Sequence, residues 1–266
     1  MDKYFGSSIW PVRRFEKGES HDRLDEVAEE VPVALVYNGI SHVVMLATPA
    51  DLEDFALGFS LTEGILASPE EMFACEIVEA ENGIRIELDI SSERFLYLKE
   101  RRRNLAGRTG CGLCGTDSLS QAVRIPAPVT SSQIFSVETL HSGFDQMEKM
   151  QVLKQATGAT HAAAWLDGNG HVSCIREDVG RHNALDKLIG ALTVSHSDRE
   201  KGAVLVTSRA SYEMVQKCAS AKIGILAAIS APTALAIKIA DETNVTLAGF
   251  VRKNGHTVYS HPRRLI

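Results

Sequence analysis

Short apolar segments alternate with amphipathic segments through the second half of the chain. The apolar runs AVLVT, ILAAIS and VTLAGFV occupy residues 203–207, 225–230 and 245–251. Segments with helical periodicity, each of about ten to twelve residues, separate these runs. Strands that are apolar on both faces are typical of a parallel sheet with helices packed against it. The pattern therefore predicts a mostly parallel sheet that is covered on both faces.

The first half of the chain shows turn signals between strand-like runs. In residues 33–46, Asn38-Gly39 separates two such runs and supplies the positive φ that a tight turn needs. Residues 75–90 have the same character and predict a second hairpin. Between the two hairpins, Thr48 precedes an amphipathic run and is the predicted N-cap of a helix. The first half therefore predicts a small α+β unit.

A stretch rich in Pro, Ser and Thr over residues 125–132 is the predicted domain boundary. We expect one domain at 1–130 and a second at 131–266. The other predicted elements are a charged helix over 92–103, a long helix over 136–156, a hairpin from HAAAWL and HVSCI, a helix over 183–194 capped by Asn183, and two helices that begin after Ser211 and Thr233.

The composition excludes several classes of protein. The 266 residues carry a formal net charge of −6, which gives no overall positive field for a nucleic-acid backbone. No apolar run reaches the roughly 18 residues that a membrane-spanning helix needs. The N-terminus lacks the apolar stretch of a signal peptide. These features predict a cytoplasmic protein that binds neither nucleic acid nor membrane.

The five cysteines fall into two groups. An odd number without a secretion signal argues against a disulfide framework. Cys75, Cys174 and Cys218 lie among apolar neighbours, which indicates core positions. Cys111 and Cys114 instead form a Cys-x-x-Cys pair in a Gly-rich segment that predicts an exposed loop.

Three kinds of chemistry suit this pair: metal binding, disulfide exchange, and nucleophilic attack with a resolving partner. A structural zinc site needs four ligands, and the chain has no second Cys-x-x-Cys. A thioredoxin-type pair opens a helix after a strand, whereas this pair follows a basic helix. Cations near the pair favour a reactive thiolate. They are Lys99, Arg101, Arg102, Arg103 and Arg108.

Polar residues also collect where the predicted strands of the second half end. Two of these segments lead into helix N-termini, where free N–H groups suit phosphate. A third combines an aromatic residue with two cations, which suits a base beside a phosphate. Together they predict a polar rim for a large anionic ligand such as a nucleotide. The three segments are Thr207-Ser208-Arg209, 230–233 and 249–255. The charged segment 176–183 lies at a further predicted strand end, where α/β proteins bind ligands.

At these residues the chain resembles the FdhD family of formate dehydrogenase accessory sulfurtransferases. GRTGCGLCG at 107–115 and REDVGRHNALDKLIG at 176–190 carry the resemblance most specifically. Other matching stretches run from PVALVYNG at 32–39 to TLAGFVR at 246–252, so the resemblance covers most of the chain.

The resemblance implies a sulfurtransferase that accepts a persulfide from a cysteine desulfurase. It would sulfurate a molybdenum bis(pterin guanine dinucleotide) cofactor for the formate dehydrogenase apoenzyme. Cys111 would carry the persulfide and Cys114 would assist. Family members are homodimers, and no structural metal is expected. The implied cofactor contacts are Phe250, Val251, Arg252, Lys253, Asn254 and Gly255, to which the polar pattern adds Ser208, Arg209, Arg181 and His182.

The family's C-terminal part is similar to the cytidine deaminase fold. The resemblance therefore implies a layered α/β/α domain at 131–266, with a smaller α+β domain that carries the cysteines on a mobile loop. Zinc deaminases use His-x-Glu followed later by Pro-Cys-x-x-Cys. Here Ala163 stands two residues after His161, and the cysteine pair precedes this histidine. The deaminase metal site is absent, although the scaffold is shared.

Two other functions stay open. A cofactor-binding chaperone without a covalent sulfur step would work without Cys111. A thiol–disulfide oxidoreductase would depend on Cys114 as much as on Cys111 and would form a stable disulfide between them.

Overall fold

The computed structural model describes residues 6–105, 124–253 and 255–266. Within these residues the strands form a two-stranded ribbon, a four-stranded sheet and a six-stranded sheet. The elements of the first half are β1 (Ser7–Glu16), β2 (Glu19–Ala28), β3 (Val31–Tyr37), β4 (Ile40–Ala47), α1 (Leu52–Thr62), β5 (Met72–Ala80), β6 (Gly83–Ile90) and α2 (Ser92–Leu105). Those of the second half are α3 (Val137–Met150), α4 (Val152–Thr157), β7 (His161–Asp167), β8 (Val172–Asp178), α5 (Arg181–Val194), β9 (Gly202–Val206), α6 (Tyr212–Ser220), β10 (Ile225–Ala228), α7 (Ala234–Glu242), β11 (Thr246–Arg252) and β12 (Gly255–Ser260).

The four-stranded sheet has the order β4-β3-β6-β5 and contains both predicted hairpins. Asn38 and Gly39, at φ 45° and 79°, form the tight turn between β3 and β4. Helix α1 covers one face of this sheet. Its Phe55 is fully buried in the same apolar cluster as Leu35 and Ile86. The smaller core therefore lies between α1 and this sheet.

The start of α1 differs from the prediction. The helix begins after Asp51, whose backbone is left-handed at φ 52°, and Thr48 does not cap it. The N–H of Thr48 donates to the Asp178 carboxylate at 3.0 Å, and its hydroxyl accepts from the N–H of Val179 at 3.2 Å. The predicted N-cap was wrong because this contact with the second half of the chain engages Thr48.

The ribbon of β1 and β2 was not predicted from the sequence. The two strands pair antiparallel along their full length, and Lys17 and Gly18 turn the chain at positive φ. Most ribbon side chains are exposed, including Trp10 and Phe15. The ribbon therefore lacks the alternation of buried and exposed positions that marks a strand in a sequence. Pro11 within β1 is a further signal against a strand.

The six-stranded sheet has the order β12-β11-β10-β9-β7-β8. Strands β9, β10 and β11 are parallel, whereas β7, β8 and β12 are antiparallel to their neighbours. The sheet is therefore mixed, which corrects the prediction of a mostly parallel sheet. The sequence did not predict β12, and β7 and β12 run against the parallel strands.

Helices cover both faces of this sheet. Leu188 of α5 and Met214 of α6 pack with Val204 on one face. Leu140 of α3 packs with Leu205 on the other face. The predicted fold class, a layered α/β/α domain with a smaller α+β domain, is confirmed. None of the described helices combines the length and apolar character that a membrane crossing needs.

The predicted long helix over 136–156 is two helices, α3 and α4. They meet at Gln151, whose ψ is 78°. The carboxylate of Glu177 accepts the backbone N–H groups of Leu153 and Lys154, both at 2.9 Å. An anion on free N–H groups stabilises a helix N-terminus, so this contact favours a new helix at that point.

Helices α1 and α5 cross at very short range and join the two cores. A Cβ atom at Gly58 would lie 1.8 Å from the carbonyl oxygen of Asp186. One at Gly190 would lie 1.9 Å from that of Asp54. Only glycine fits at both positions. Residues 124–134 contain neither helix nor strand, and the domain boundary at 130 stays a prediction.

Candidate functional site

Cys111 and Cys114 lie outside the described residues, and so does Asn254. The description of the chain ends at Leu105 of α2 and resumes at Arg124. The placement of the cysteine pair therefore stays a prediction. The other cysteines and the strand ends of the second half can be examined directly.

The three other cysteines lie in surroundings that suppress the thiolate. Burial raises the pKa of Cys75 to about 11 and also raises the pKa of Cys174 and of the fully buried Cys218. Because the thiolate is the reactive form, these three are poor nucleophiles at neutral pH. The predicted core position is confirmed for Cys218, whereas Cys75 and Cys174 are half-buried and pack against the cores. Of the five cysteines in the chain, Cys111 and Cys114 remain for sulfur chemistry.

Polar strand ends meet at one edge of the six-stranded sheet. The N–H of Thr233, after β10, donates to the carbonyl of Ala210, after β9, at 3.1 Å. The N–H of Phe250 in β11 donates to the carbonyl of Ser230 at 3.3 Å. This edge holds the carboxyl ends of the parallel strands, where α/β proteins bind ligands.

Two helices, α6 and α7, begin at this edge after Ser211 and Thr233. Their N-terminal N–H groups and dipoles favour an anion. Arg209 is exposed in the loop before α6. Ser208 is buried, and its hydroxyl donates to the carbonyl of Arg209 at 2.9 Å. The predicted pair therefore contributes one exposed cation, while the serine is occupied within the loop.

The end of β11 has a strained aromatic residue. Phe250 has φ 53°, its side chain is 46% exposed, and it lies at a register shift between Gly249 and Arg252. A bulky residue at positive φ is costly and marks functional positions. Arg252 and Lys253 are exposed beside it. Val251 is buried in the core, so only its backbone can contact a ligand.

A cluster of His and Arg side chains lies at the N-terminus of α5. Arg181 is the first residue of α5, and its Nε is buried without a hydrogen-bond partner within the described part of the chain. Burial, and then the positive charge of Arg181, lower the pKa of His161. The Nε2 of His182 lies 3.4 Å from the hydroxyl of Ser211. The cluster thus connects the starts of α5 and α6.

His161 was not among the predicted site residues. A single histidine on an apolar strand is more often a core residue, and its link to Arg181 exists only in the folded chain. Within the residues that the structure describes, no three His, Cys, Asp or Glu side chains converge as metal ligands.

The low pKa of His161 predicts acid-sensitive stability. The pKa of His256 is also lowered, by burial and then by the charge of His141. Below about pH 6.5 the unfolded chain takes up these protons more readily than the folded chain. The contribution of these two histidines to the free energy of unfolding is therefore fully present above that pH. It is lost as the pH falls through their lower pKa values in the folded chain. Urea denaturation at roughly pH 7.5 and 5.5 tests this prediction. Between these two pH values the free energy of unfolding should fall less for His161→Gln than for the wild type. An equal fall in both proteins would contradict the role given to His161.

Much of the charged segment 176–190 joins the two halves of the chain. The guanidinium of Arg176 donates to the Asp54 carboxylate at 2.7 and 2.9 Å. Lys187 and Asp178 form a fully buried ion pair at 2.7 Å, and the Nζ of Lys187 also donates to the carbonyl of Thr48 at 2.9 Å. The dense charge that suggested ligand binding is therefore largely structural.

Asn183 illustrates the same point. It was the predicted N-cap of α5, but the helix begins two residues earlier, after Gly180. The side-chain amide of Asn183 is buried and donates to the carbonyl of Leu46 at 2.8 Å and to Asp178 at 2.9 Å. The prediction was wrong because this side chain binds the first half of the chain instead of capping its own helix.

The fold and this arrangement of residues match a known family. The model of the FdhD/NarQ family matches residues 28–266. The chain belongs to the FdhD/NarQ family. An FdhD protein of Cupriavidus necator, named sulfur carrier protein FdhD, is 62% identical over 258 residues, which cover 97% of this chain and 90% of the relative. A protein of the same name from Bordetella petrii is 59% identical over 242 residues and covers 91% of this chain and 87% of the relative.

Two further comparisons extend the match. A sulfur carrier protein FdhD from Variovorax paradoxus is 51% identical over 259 residues, which cover 97% of this chain and 93% of the relative. The crystal structure of a candidate formate dehydrogenase accessory protein from Desulfotalea psychrophila superposes with a TM-score of 0.74. It is 24% identical and covers 98% of this chain and 99% of that chain, so it supports the fold.

Proposed function

We propose that the protein is a sulfur carrier that serves the maturation of formate dehydrogenase. Three FdhD relatives at 51% to 62% identity have the name sulfur carrier protein. The observation that carries the proposal is that burial raises the pKa of three of the five thiols. Burial disfavours the thiolate at Cys75, Cys174 and Cys218, which leaves Cys111 and Cys114 for sulfur chemistry.

The proposed first step is a transfer between thiols. The Cys111 thiolate attacks the terminal sulfur of a persulfide on a cysteine desulfurase. The S–S bond of the donor breaks as the new S–S bond forms, and the donor cysteine leaves as a thiolate, so electrons balance without an oxidant. Lys99 and Arg108, which precede the pair, favour the thiolate. Cys114 assists the transfer.

The proposed substrate that receives the sulfur is the molybdenum bis(pterin guanine dinucleotide) cofactor. The polar sheet edge offers groups that suit its dinucleotide ends. Phe250 presents an exposed ring for a guanine base. Arg209 and Lys253 are exposed for phosphate, and the buried Nε of Arg181 has an open donor position. The proposed macromolecular partners are the cysteine desulfurase, the formate dehydrogenase apoenzyme and a second copy of the chain.

Guanosine diphosphate tests this site because it has the base, ribose and phosphates of one dinucleotide end. We expect Phe250→Ala to weaken its binding about tenfold, since stacking of one base on an aromatic ring contributes about 1–3 kcal/mol. Isothermal titration calorimetry measures the dissociation constant. Phe73→Ala is the matched control, because Phe73 is 69% exposed on β5 of the other sheet. Equal affinities for wild type and Phe250→Ala would exclude the proposed stacking.

A further inference from the structure

Two histidines far apart in the sequence form a direct contact. The Nε2 of His141 in α3 lies 3.2 Å from the Nδ1 of His256 in β12. The rings are nearly perpendicular, at 86°, with centroids 5.3 Å apart. One imidazole donates its N–H and the other accepts on its free nitrogen. The contact is therefore a hydrogen bond that needs at least one neutral ring.

His256 in β12 directly follows Gly255, the last of the proposed cofactor contacts. The pairing of β11 with β12 matches Gly249 with Thr257 and Arg252 with Gly255, and it passes over Phe250 among the described residues. Within the described residues, Phe250 therefore has no partner in β12. The contact through His256 ties the beginning of β12 to a second element.

Helix α3 is a firm anchor for this contact. Leu140, next to His141, is fully buried in the core beneath the sheet, and so is Met147. A side chain on a rigid helix positions its partner better than one on a loop. The position of the His141 imidazole is thus fixed by α3. If the contact were lost, the residues around His256 at the start of β12 would move and α3 would not.

We propose that His141 is a positioning residue, which holds the described residues Phe250–Lys253 and Gly255 in the conformation that receives the guanine nucleotide end of the cofactor. This inference rests on the proposed function. His141 itself does not touch the ligand and acts through His256.

Amide hydrogen exchange in the peptide that covers residues 250–258 tests the effect of the His141–His256 contact without any ligand. We expect His141→Leu to speed exchange in this peptide about tenfold, because this segment opens more often. Guanosine diphosphate should bind about three- to tenfold more weakly, the effect of losing one hydrogen bond. His171→Leu changes an exposed histidine elsewhere and should alter neither value.

His141→Gln separates positioning from general stability. The side-chain amide of Gln places a nitrogen where the Nε2 of His141 lies, and its amide both donates and accepts. It should therefore restore protection at neutral pH.

The outcomes distinguish this inference from the proposed function. Exchange could be faster in His141→Leu and normal in His141→Gln, while the wild type binds no nucleotide. That result would support the His141–His256 contact as a positioning contact and would exclude the nucleotide site. Unchanged exchange in His141→Leu would overturn the inference. So would exchange in His141→Gln that is as fast as in His141→Leu.

Discussion

Replacing Cys111 with Ala is expected to abolish formate dehydrogenase activity in cells that depend on this protein. The expected loss is on the order of a hundredfold or more, because Ala has no sulfur to carry a persulfide and a missing nucleophile removes the whole transfer. The assay is formate oxidation in extracts from cells that lack their own copy of the gene and express each variant.

The chain offers a matched control for this experiment. Cys75→Ala removes a half-buried thiol whose pKa lies at about 11, so it should leave activity near the wild-type level. Cys114→Ala should lower activity by an intermediate factor if it assists the transfer. Full activity of Cys111→Ala would contradict covalent carriage and favour a cofactor-binding chaperone. Equal losses at Cys111 and Cys114 would favour a thiol oxidoreductase.

Lys187→Met is expected to destabilise the fold by about 3–5 kcal/mol, because it leaves the buried Asp178 carboxylate without its cation. Both side chains are fully buried, and the Nζ of Lys187 lies 2.7 Å from Asp178 and 2.9 Å from the carbonyl of Thr48. Since domains are stable by only about 5–15 kcal/mol, this is a large share of the total. Urea denaturation measures the free energy of unfolding.

An exposed ion pair provides the control for Lys187. Lys201 lies 3.0 Å from Asp198, with side chains 74% and 54% exposed. Lys201→Met should change the free energy of unfolding by about 1 kcal/mol or less, because water screens a surface pair. If Lys187→Met also costs about 1 kcal/mol or less, the buried pair does not stabilise the fold as inferred.

The elements with strong local signals were predictable from the sequence. Asn38-Gly39 marked the β3–β4 hairpin, and the apolar runs at 203–207 and 225–230 marked β9 and β10. The ribbon of β1 and β2 was missed because its side chains are exposed and give no burial pattern. The start of α1 was misplaced because Thr48 contacts Asp178, 130 residues away, and no local pattern contains that contact.

The site was predictable in part. Phe250 and Arg209 were identified from an aromatic residue and a cation at strand ends, and both are exposed at the expected edge. The charge of Asp178, within the segment 176–183, suggested a ligand, yet it pairs with Lys187 inside the protein. A sequence shows that charges are present but not whether they are buried. The His141–His256 contact spans 115 residues and was likewise invisible in the sequence.

The most direct test of sulfur carriage is intact-protein mass spectrometry after incubation with a cysteine desulfurase and cysteine. The wild type should gain the mass of one sulfur, about 32 Da, and a thiol reductant should remove it. Cys111→Ala should gain nothing, while Cys75→Ala should behave as the wild type. An unmodified wild type, or an adduct of the same size on Cys111→Ala, would contradict persulfide carriage on Cys111.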